Sequence, residues 1–376
     1  MSNASAVKEP LVRIVKRDSC TVKKSILVYF LGVFGGLVAA AAVIMLITKL
    51  NPLEVYATMF KATFDFEAFA KKDFSKLWYF LRDMCLLLCI SIGLAPAFKM
   101  RFWNIGAEGQ VLVGGLVSAC CMIYLSNLPT TLLLIVMAVV SMAAGALWGL
   151  IPAFFKSKFG TNETLFTLMM NYIAIQMVEV AVDIFDKKQS HSVGIINYEK
   201  EQGWMPALFN QEYLMNLIIA AILMVAVFVY LKYTKHGYEI SVVGESTNTA
   251  RYAGISVRRV ILRTMLISGA ICGLAGFVEV SAISHTISKS TAGGRGFTAI
   301  IVAWLGKFNT FVMALIAMLL VFLDKGATAI SSEFHLNDFF AQMITGVILF
   351  FILGCEFFIH YRLVFRKANG VEKKGA

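Results

Sequence analysis

Apolar residues fall in blocks of about 20 positions along almost the whole 376-residue chain, with short polar stretches between them. A helix needs about 20 apolar residues to cross a hydrocarbon core of roughly 30 Å. The pattern therefore predicts an all-α fold, a polytopic transmembrane helical bundle. The eighth and ninth blocks are short, so the pattern admits eight to ten spans. The predicted spans are 26–48, 77–98, 110–125, 130–151, 163–185, 213–231, 262–283, 297–306, 311–323 and 338–359.

The distribution of charge sets the orientation. If the N-terminus is cytoplasmic, most Lys and Arg residues fall in inner segments, whereas the outer segments 49–76 and 186–212 are mixed in sign. Cytoplasmic loops carry the surplus of basic residues in membrane proteins. We therefore expect both termini inside, with the first span retained as an anchor because no small-residue cleavage site follows it. The predicted domains are a cytoplasmic segment 1–25, a membrane domain 26–360 with a cytoplasmic loop at about 232–262, and a basic tail 361–376.

Composition excludes several classes of protein. The chain is 59% hydrophobic and only 15% charged, unlike a soluble domain. Its net charge of +11 is explained by basic residues in the inner loops, so it does not indicate a nucleic-acid-binding protein. Its seven cysteines form no CxxC pairs, and its five histidines are scattered. No GxxxxGK[ST], HExxH or GxSxG motif is present, so we expect no ATP bound through a Walker motif, no enzyme, and no metal or cofactor of its own.

The first motif that points to a mechanism lies between the second and third spans. Asn104, Glu108 and Gln110 stand beside glycines at 106 and 109. This pattern suggests a broken helix whose freed backbone faces a cavity, and transporters often place substrate at such breaks. An ordinary Gly-rich cytoplasmic loop with capping side chains is the alternative.

A polar stripe runs along the fifth span. Glu163, Thr167 and Asn171 are spaced i, i+4, i+8 and so share one helical face, which Glu179 and Asp183 roughly extend. A polar stripe in a span faces either a water path or the interior of the bundle. Interhelical hydrogen bonding gives the same pattern, so both functions stay open here. Glu163 is expected to cap the cytoplasmic end of this helix.

Two further patterns concern helix packing and the loop 232–262. Gly269, Gly273 and Gly276 have the spacing that permits close helix packing. The segment 290–297 interrupts the apolar pattern on the outer side, and 104–109 does so on the inner side, which favours an inverted repeat with the two interruptions on opposite faces. The loop 232–262 suits a short interfacial helix presented to a cytoplasmic partner, or a basic loop held on anionic headgroups.

Four stretches together resemble a known family. They are 104–110, 162–163 with 170–172, 244–255, and 296–300 running on to 306, spread over most of the chain. In these stretches the chain resembles the permeases of ABC importers for nucleosides and simple sugars, which are related to branched-chain amino-acid permeases. The resemblance implies a cytoplasmic loop that docks on an ATPase; the implied coupling residues are Gly244, Asn248, Ala250, Arg251, Ala253 and Gly254. Candidate substrate-path residues are Asn104, Glu108, Gln110, Thr167, Asn171 and Phe297.

The resemblance also implies a function and partners. It implies import of nucleosides, purine nucleosides among them, across the inner membrane by alternating access; a simple sugar such as ribose or galactose is the alternative. The implied partners are a cytoplasmic ABC ATPase that carries ATP and Mg, a second permease subunit in a heterodimer, and an extracytoplasmic substrate-binding lipoprotein. Trp103, Tyr172, Phe297 and Trp304 are candidates to stack on a base, or serve as interfacial anchors. Trp304 and the outer segment 51–80 depart from the family pattern.

Overall fold

The computed structural model describes residues 12–16, 22–186 and 192–365, so much of the predicted segment 1–25 and of the tail 361–376 lies outside the described residues. Within this part of the chain, nine helices are long and apolar enough to cross a membrane, which confirms the polytopic helical bundle. The helices are α1 Val22–Thr48, α2 Pro52–Lys61, α3 Phe66–Ala70, α4 Ser75–Lys99, α5 Ala107–Tyr124, α6 Thr130–Phe159, α7 Glu163–Phe185, α8 Leu214–Tyr233, α9 Lys235–Glu245, α10 Thr247–Tyr252, α11 Val257–Val278, α12 Arg295–Leu305, α13 Thr310–Glu333 and α14 Asp338–His360. A π-helical turn, Glu279–Ser284, extends α11, and two strands, β1 Val12–Lys16 and β2 Tyr361–Phe365, complete the secondary structure.

The chain packs as two units, one formed by the residues before Thr63 and after Phe322, the other by Thr63–Phe322. In the first unit α1 packs against α14, and β1 pairs antiparallel with β2, so that Val12 lies opposite Phe365. The β1–β2 pair thus brings the two ends of this unit together.

The second unit is built around α11, which packs against α4, α5 and α6. Its glycines make these close contacts possible. A Cβ added to Gly269 would lie 2.3 Å from the carbonyl oxygen of Gly145, and one added to Gly273 would lie 2.2 Å from that of Ser141. Such distances leave room only for glycine, so the predicted packing role of the glycine stripe is confirmed.

Two predicted spans differ most from the structure. The ninth, 311–323, is the full-length helix Thr310–Glu333, because the charged pair Asp324 and Lys325 lowers the local hydropathy without ending the helix. The eighth, 297–306, is the 11-residue helix Arg295–Leu305, which rises only about 16 Å and cannot cross a bilayer alone.

The half-length helix α12 runs beside α4 in the same direction. The ring of Trp304, at the end of α12, lies 6.1 Å from that of Phe98, which is one residue from the end of α4. The guanidinium of Arg295, at the start of α12, lies 4.0 Å from the carboxylate of Asp83, about four turns earlier in α4. We call the end of this unit that carries α9 and α10 the inner end. The start of α12 therefore lies about halfway through the thickness of the bundle.

Candidate substrate-path and coupling sites

The segment between α4 and α5 is a break in which the chain turns back into the bundle. Asn104 is fully buried there, and its Oδ1 accepts a hydrogen bond of 3.0 Å from the backbone N–H of Gly106. Its Nδ2 lies 3.4 Å from Ser268 Oγ of α11 and 3.5 Å from Gln110 Oε1. The side chain thus closes the turn and ties it to two helices.

Side chains of α7 bind the freed backbone of this break. Thr167 Oγ1 accepts from the N–H of Ile105 at 3.1 Å. Asn171 bonds at both ends of its amide, since its Oδ1 accepts from the N–H of Gly109 and its Nδ2 donates to the carbonyl of Ile105, each at 2.9 Å. Backbone outside a helix is tolerated at membrane depth only when protein or water satisfies it, and these two residues do so.

Four of the six predicted substrate-path residues therefore form one buried network. Asn104, Gln110, Thr167 and Asn171 are each at most 2% exposed. In this conformation their polar groups face other protein groups and brace the helix break from inside. Of the predicted stripe on α7, only Thr167 and Asn171 are buried. Glu163 lies 2.7 Å from Lys156, Glu179 lies 2.7 Å from Lys289, and Asp183 is exposed. The residue that caps α7 is Asn162 rather than Glu163.

Glu108 connects the two interruptions of the apolar pattern. Its Oε1 accepts from the N–H of Gly294 at 2.7 Å and its Oε2 from that of Gly296 at 2.8 Å, so one carboxylate caps the N-terminus of α12. The expectation that the two interruptions lie on opposite faces is wrong, because α5 and α12 both begin inside the bundle and meet there. Gly296 has no room for a Cβ, which would lie 2.5 Å from the backbone nitrogen of Glu108.

A cluster of charged side chains surrounds the start of α12. Arg82 Nε donates to Asp83 at 2.9 Å, and its guanidinium lies 5.3 Å from the ring of Tyr79. Arg295 lies 4.0 Å from Asp83 and 3.9 Å from Glu279 in the π-helical turn. We refer to Arg82, Asp83, Glu279 and Arg295 as the charged cluster.

The charged cluster was missed at the sequence level, although a signal for it exists. Asp83 and Glu279 are isolated acidic residues inside the predicted spans 77–98 and 262–283. Ionisable residues in spans are costly and mark functional sites by default. Only the tertiary packing shows that Arg295, which follows two glycines outside a span, joins them.

The inner end of α12 borders a cavity of about 640 Å³. The rings of Trp103 and Trp304 stack there at 5.1 Å, and Phe98 lies 6.0 Å from Trp103. Further lining comes from the end of α4 and the residues after it, including Lys99 and Arg101, and from the end of α9, including Gly244 and Glu245. Two of the four candidate aromatic residues are thus brought together at the inner end, close to the predicted coupling loop, whereas Tyr172 and Phe297 are exposed elsewhere.

A second cavity of about 560 Å³ lies away from the inner end, among residues of 200–213 and 282–285. Trp204 stacks on His285 at 3.8 Å, and its Nε1 donates to the carbonyl of Ile196 at 2.9 Å. Burial lowers the pKa of His285. The cavity also borders Tyr213, whose ring lies 5.3 Å from the guanidinium of Arg82, so the charged cluster lies beside it.

The loop 232–262 folds into α9 and α10, which confirms the short helix predicted there. Ser246 caps α10 by accepting from the N–H of Thr249 at 3.2 Å. Gly244 lies against α4, where an added Cβ would be 2.3 Å from the carbonyl oxygen of Lys99. Ala250 is fully buried. Gly244 and Ala250 therefore anchor the loop to the chain itself, and the coupling role expected of Ala250 stays a prediction.

The opposite face of α10 is open. Asn248, Arg251, Ala253 and Gly254 are all exposed, and Gly254 has a φ of +75° with open space around its Cα. Tyr252 was not singled out by its sequence position, yet it is 93% exposed, and an aromatic ring standing alone in solvent is a common feature of docking surfaces. These five residues form what we call the α10 face.

An ion pair ties α9 to α11. Arg263 donates to Glu239 at 2.8 Å, and this hydrogen bond lowers the pKa of the Glu239 carboxyl. Together with the contact of Gly244 on Lys99, it fixes α9 to the inner ends of both α4 and α11. A force on the α10 face would thus reach two of the helices that hold the charged cluster.

Comparison with known proteins gives a consistent result. The chain is 28% identical to the nucleoside ABC transporter permease protein NupB of Lactococcus lactis subsp. cremoris, over 91% of this chain and 95% of the relative. It is 28% identical to the guanosine ABC transporter permease protein NupP of Bacillus subtilis, over 84% and 89% respectively. It is 27% identical to the glucose ABC transporter permease protein TsgB13 of Haloferax volcanii, over 86% of each chain. No solved structure matches it.

The family assignment rests on a match to the family as a whole. Residues 77–353 match the family described as the permease component of the branched-chain amino acid transport system. The match includes the break at 100–106, the loop with α9 and α10, and the half-length helix α12. The chain therefore belongs to this family, as a multi-pass ABC importer permease of the cell membrane that is not itself an enzyme.

Proposed function

We propose that this permease imports nucleosides, purine nucleosides among them, into the cytoplasm. Two relatives that cover most of the chain carry the names nucleoside and guanosine permease, and this similarity supports the proposal most directly. The interior of the protein agrees with a polar, uncharged cargo. Its charged cluster, about halfway through the bundle, contains two acidic and two basic side chains. An anionic substrate would be repelled by the acidic side chains and a cationic substrate by the basic ones.

Transport is driven by a separate ATPase that binds the α10 face. This face presents small, polar and aromatic groups on a rigid base, since α10 is anchored by Gly244 and Ala250. ATP and Mg are held by the ATPase, and closure of that subunit pushes α9 against α4 and α11. Alternating access follows when those helices change their tilt and carry α12 with them.

Two further partners complete the transporter. A second, related permease pairs with this chain as a heterodimer, and a substrate-binding lipoprotein delivers the nucleoside from outside. Another relative, the guanosine permease protein NupQ of Bacillus subtilis, shares that organism with NupP, which supports a pair of unlike permeases. Both termini and the basic tail lie in the cytoplasm.

The substrate path runs along the start of α12. Glu108 and Phe297 border it directly, since Glu108 caps α12 and Phe297 is 44% exposed in its first turn. Asn104, Gln110, Thr167 and Asn171 support it from behind by holding the helix break. The stacked Trp103 and Trp304 form its inner exit.

A simple sugar is the second candidate cargo, because one relative of similar identity is a glucose permease. Uptake of radiolabelled guanosine, inosine and ribose by cells that carry or lack the gene separates the two. We expect loss of nucleoside uptake and unchanged ribose uptake in the deletion strain. Loss of ribose uptake with normal nucleoside uptake would establish the sugar permease instead.

A further inference from the structure

Arg295 lies at the middle of the bundle and has no hydrogen bond with any of the residues that the structure describes. Its nearest carboxylate oxygens, on Asp83 and Glu279, lie at 4.0 and 3.9 Å, beyond hydrogen-bond distance. Its side chain is 31% exposed. A guanidinium carries five N–H donors, and donors left without hydrogen bonds at this depth are costly in lipid. The exposed side of Arg295 therefore faces a polar ligand or a water-filled path rather than lipid.

Glu279 is the second group of the charged cluster with unused hydrogen-bonding capacity. It is only 5% exposed, and its Oε2 has no hydrogen bond with any residue that the structure describes. The same oxygen lies 3.9 Å from Arg295 Nη1. A strong donor and a strong acceptor thus stand side by side, and neither is satisfied by the other.

The balance of charge restricts the ligand. An anion drawn to Arg295 would also face the carboxylates of Asp83, Glu279 and Glu108, whereas a cation would face Arg295 and the positive N-terminus of α12. A neutral ligand with acceptors and donors on adjoining edges suits both groups.

A 6-oxopurine base has this arrangement. Its O6 and N7 accept a bidentate pair of hydrogen bonds from an arginine, and its N1–H is a donor that a carboxylate accepts. An adenine offers an amino donor in place of O6, and a pyrimidine has no N7.

We propose that Arg295 and Glu279 form the base-reading site of this permease, in which Arg295 binds O6 and N7 and Glu279 accepts the N1–H of a 6-oxopurine nucleoside. The inference rests on the proposed nucleoside import. It adds a selectivity that import alone does not require, namely guanosine and inosine over adenosine and pyrimidine nucleosides.

The test is competition for radiolabelled guanosine uptake by the complete transporter in cells that lack other nucleoside importers. Unlabelled inosine should compete as well as guanosine. Adenosine and 7-deazaguanosine, which lacks the N7 acceptor, should compete roughly 5- to 100-fold more weakly, the discrimination that a bidentate arginine pair gives. This measurement needs no variant and so does not depend on whether a mutant folds.

Variants then assign the selectivity to the residues. Arg295→Lys keeps the positive charge but loses the two parallel N–H donors of the guanidinium. Guanosine and 7-deazaguanosine should then compete equally, while competition by adenosine stays unchanged. Glu279→Gln should weaken competition by unlabelled guanosine. Competition by 1-methylguanosine, which lacks the N1–H, should stay unchanged. Arg362→Lys, an exposed arginine in β2, is the matched control and should behave as wild type. Co-purification with the ATPase verifies that each variant assembles.

Two results would overturn the proposal while leaving nucleoside import in place: equal competition by guanosine and 7-deazaguanosine in the wild type, or full selectivity retained in an assembled Arg295→Lys transporter. If no nucleoside is taken up and ribose is, the proposed function fails and the base-reading site fails with it.

Discussion

Glu108 accepts a hydrogen bond of 2.8 Å from the backbone N–H of Gly296, a residue 188 positions further along the chain. The bond joins a broken segment to a half-length helix in the middle of the bundle. It carries charge assistance and holds the helix N-terminus, two features that each strengthen it. This hydrogen bond holds the start of α12 in place against α5.

Gly296→Ala should disturb the contact between Glu108 and the start of α12. The added Cβ would overlap the backbone of Glu108, and overpacking of this kind costs about 1–3 kcal/mol. We expect a lower melting temperature in detergent and weaker uptake. Gly346→Ala, in open space on α14, is the control and should be neutral or slightly stabilising. Equal effects of the two substitutions would contradict the role given to Gly296.

Asn171→Leu should reduce both stability and transport. It leaves the N–H of Gly109 and the carbonyl of Ile105 without their partners, and each unsatisfied buried group costs about 1–3 kcal/mol. Thermal unfolding of the purified permease measures the loss. Met169→Leu, on the exposed face of the same helix, should leave the melting temperature unchanged. A stable but inactive Asn171→Leu protein would instead place this residue in the substrate path.

Gly254→Arg should abolish co-purification with the ATPase, because the large side chain would stand on the α10 face, where the partner is proposed to bind. Gly160→Arg separates this effect from backbone strain. Gly160 has a φ of +69° and open space around it, much like Gly254 at +75°, but it follows α6 and lies outside α9 and α10. Retained association in Gly254→Arg would remove the ATPase from the α10 face.

The ion pair of Glu239 with Arg263 should make a small, pH-dependent contribution to stability. Because the pKa of Glu239 is lowered from its usual 4.5, the contribution is present above pH 4.5 and is lost as pH falls through the lowered pKa. Its size should be no more than about 1 kcal/mol, as for other exposed pairs. The melting temperatures of wild type and Glu239→Gln should therefore differ slightly at pH 7 and converge near pH 3. A difference that grows with acidity would contradict this sign.

The sequence predicts the helices better than their contacts. Hydropathy finds every long helix, because the bilayer thickness fixes how many apolar residues each one needs. It shortens α13, since Asp324 and Lys325 lower the average within a helix that simply continues through them. It also assigns a span to α12, whose apolar run is real but covers only half the distance.

The site was predictable in its residue types but not in its geometry. The motif 104–110 contains the residues that brace the break, and the stripe on α7 contains their partners. What local pattern cannot give is the pairing of Glu108 with Gly294 and Gly296, or of Arg295 with Glu279, because these depend on how α5, α11 and α12 pack. For the same reason the burial of Ala250 was not foreseen, although its neighbours in α10 are exposed.

The stacked indoles of Trp103 and Trp304 have a practical consequence. One belongs to the broken segment and the other to the end of α12, so any tilt of α12 away from that segment must part them. Two aromatic chromophores held 5.1 Å apart are coupled electronically, and their separation changes the near-ultraviolet circular dichroism and the tryptophan emission. The permease thus carries its own optical reporter, and a movement of α12 away from the broken segment can be followed in unlabelled protein by near-ultraviolet circular dichroism and fluorescence.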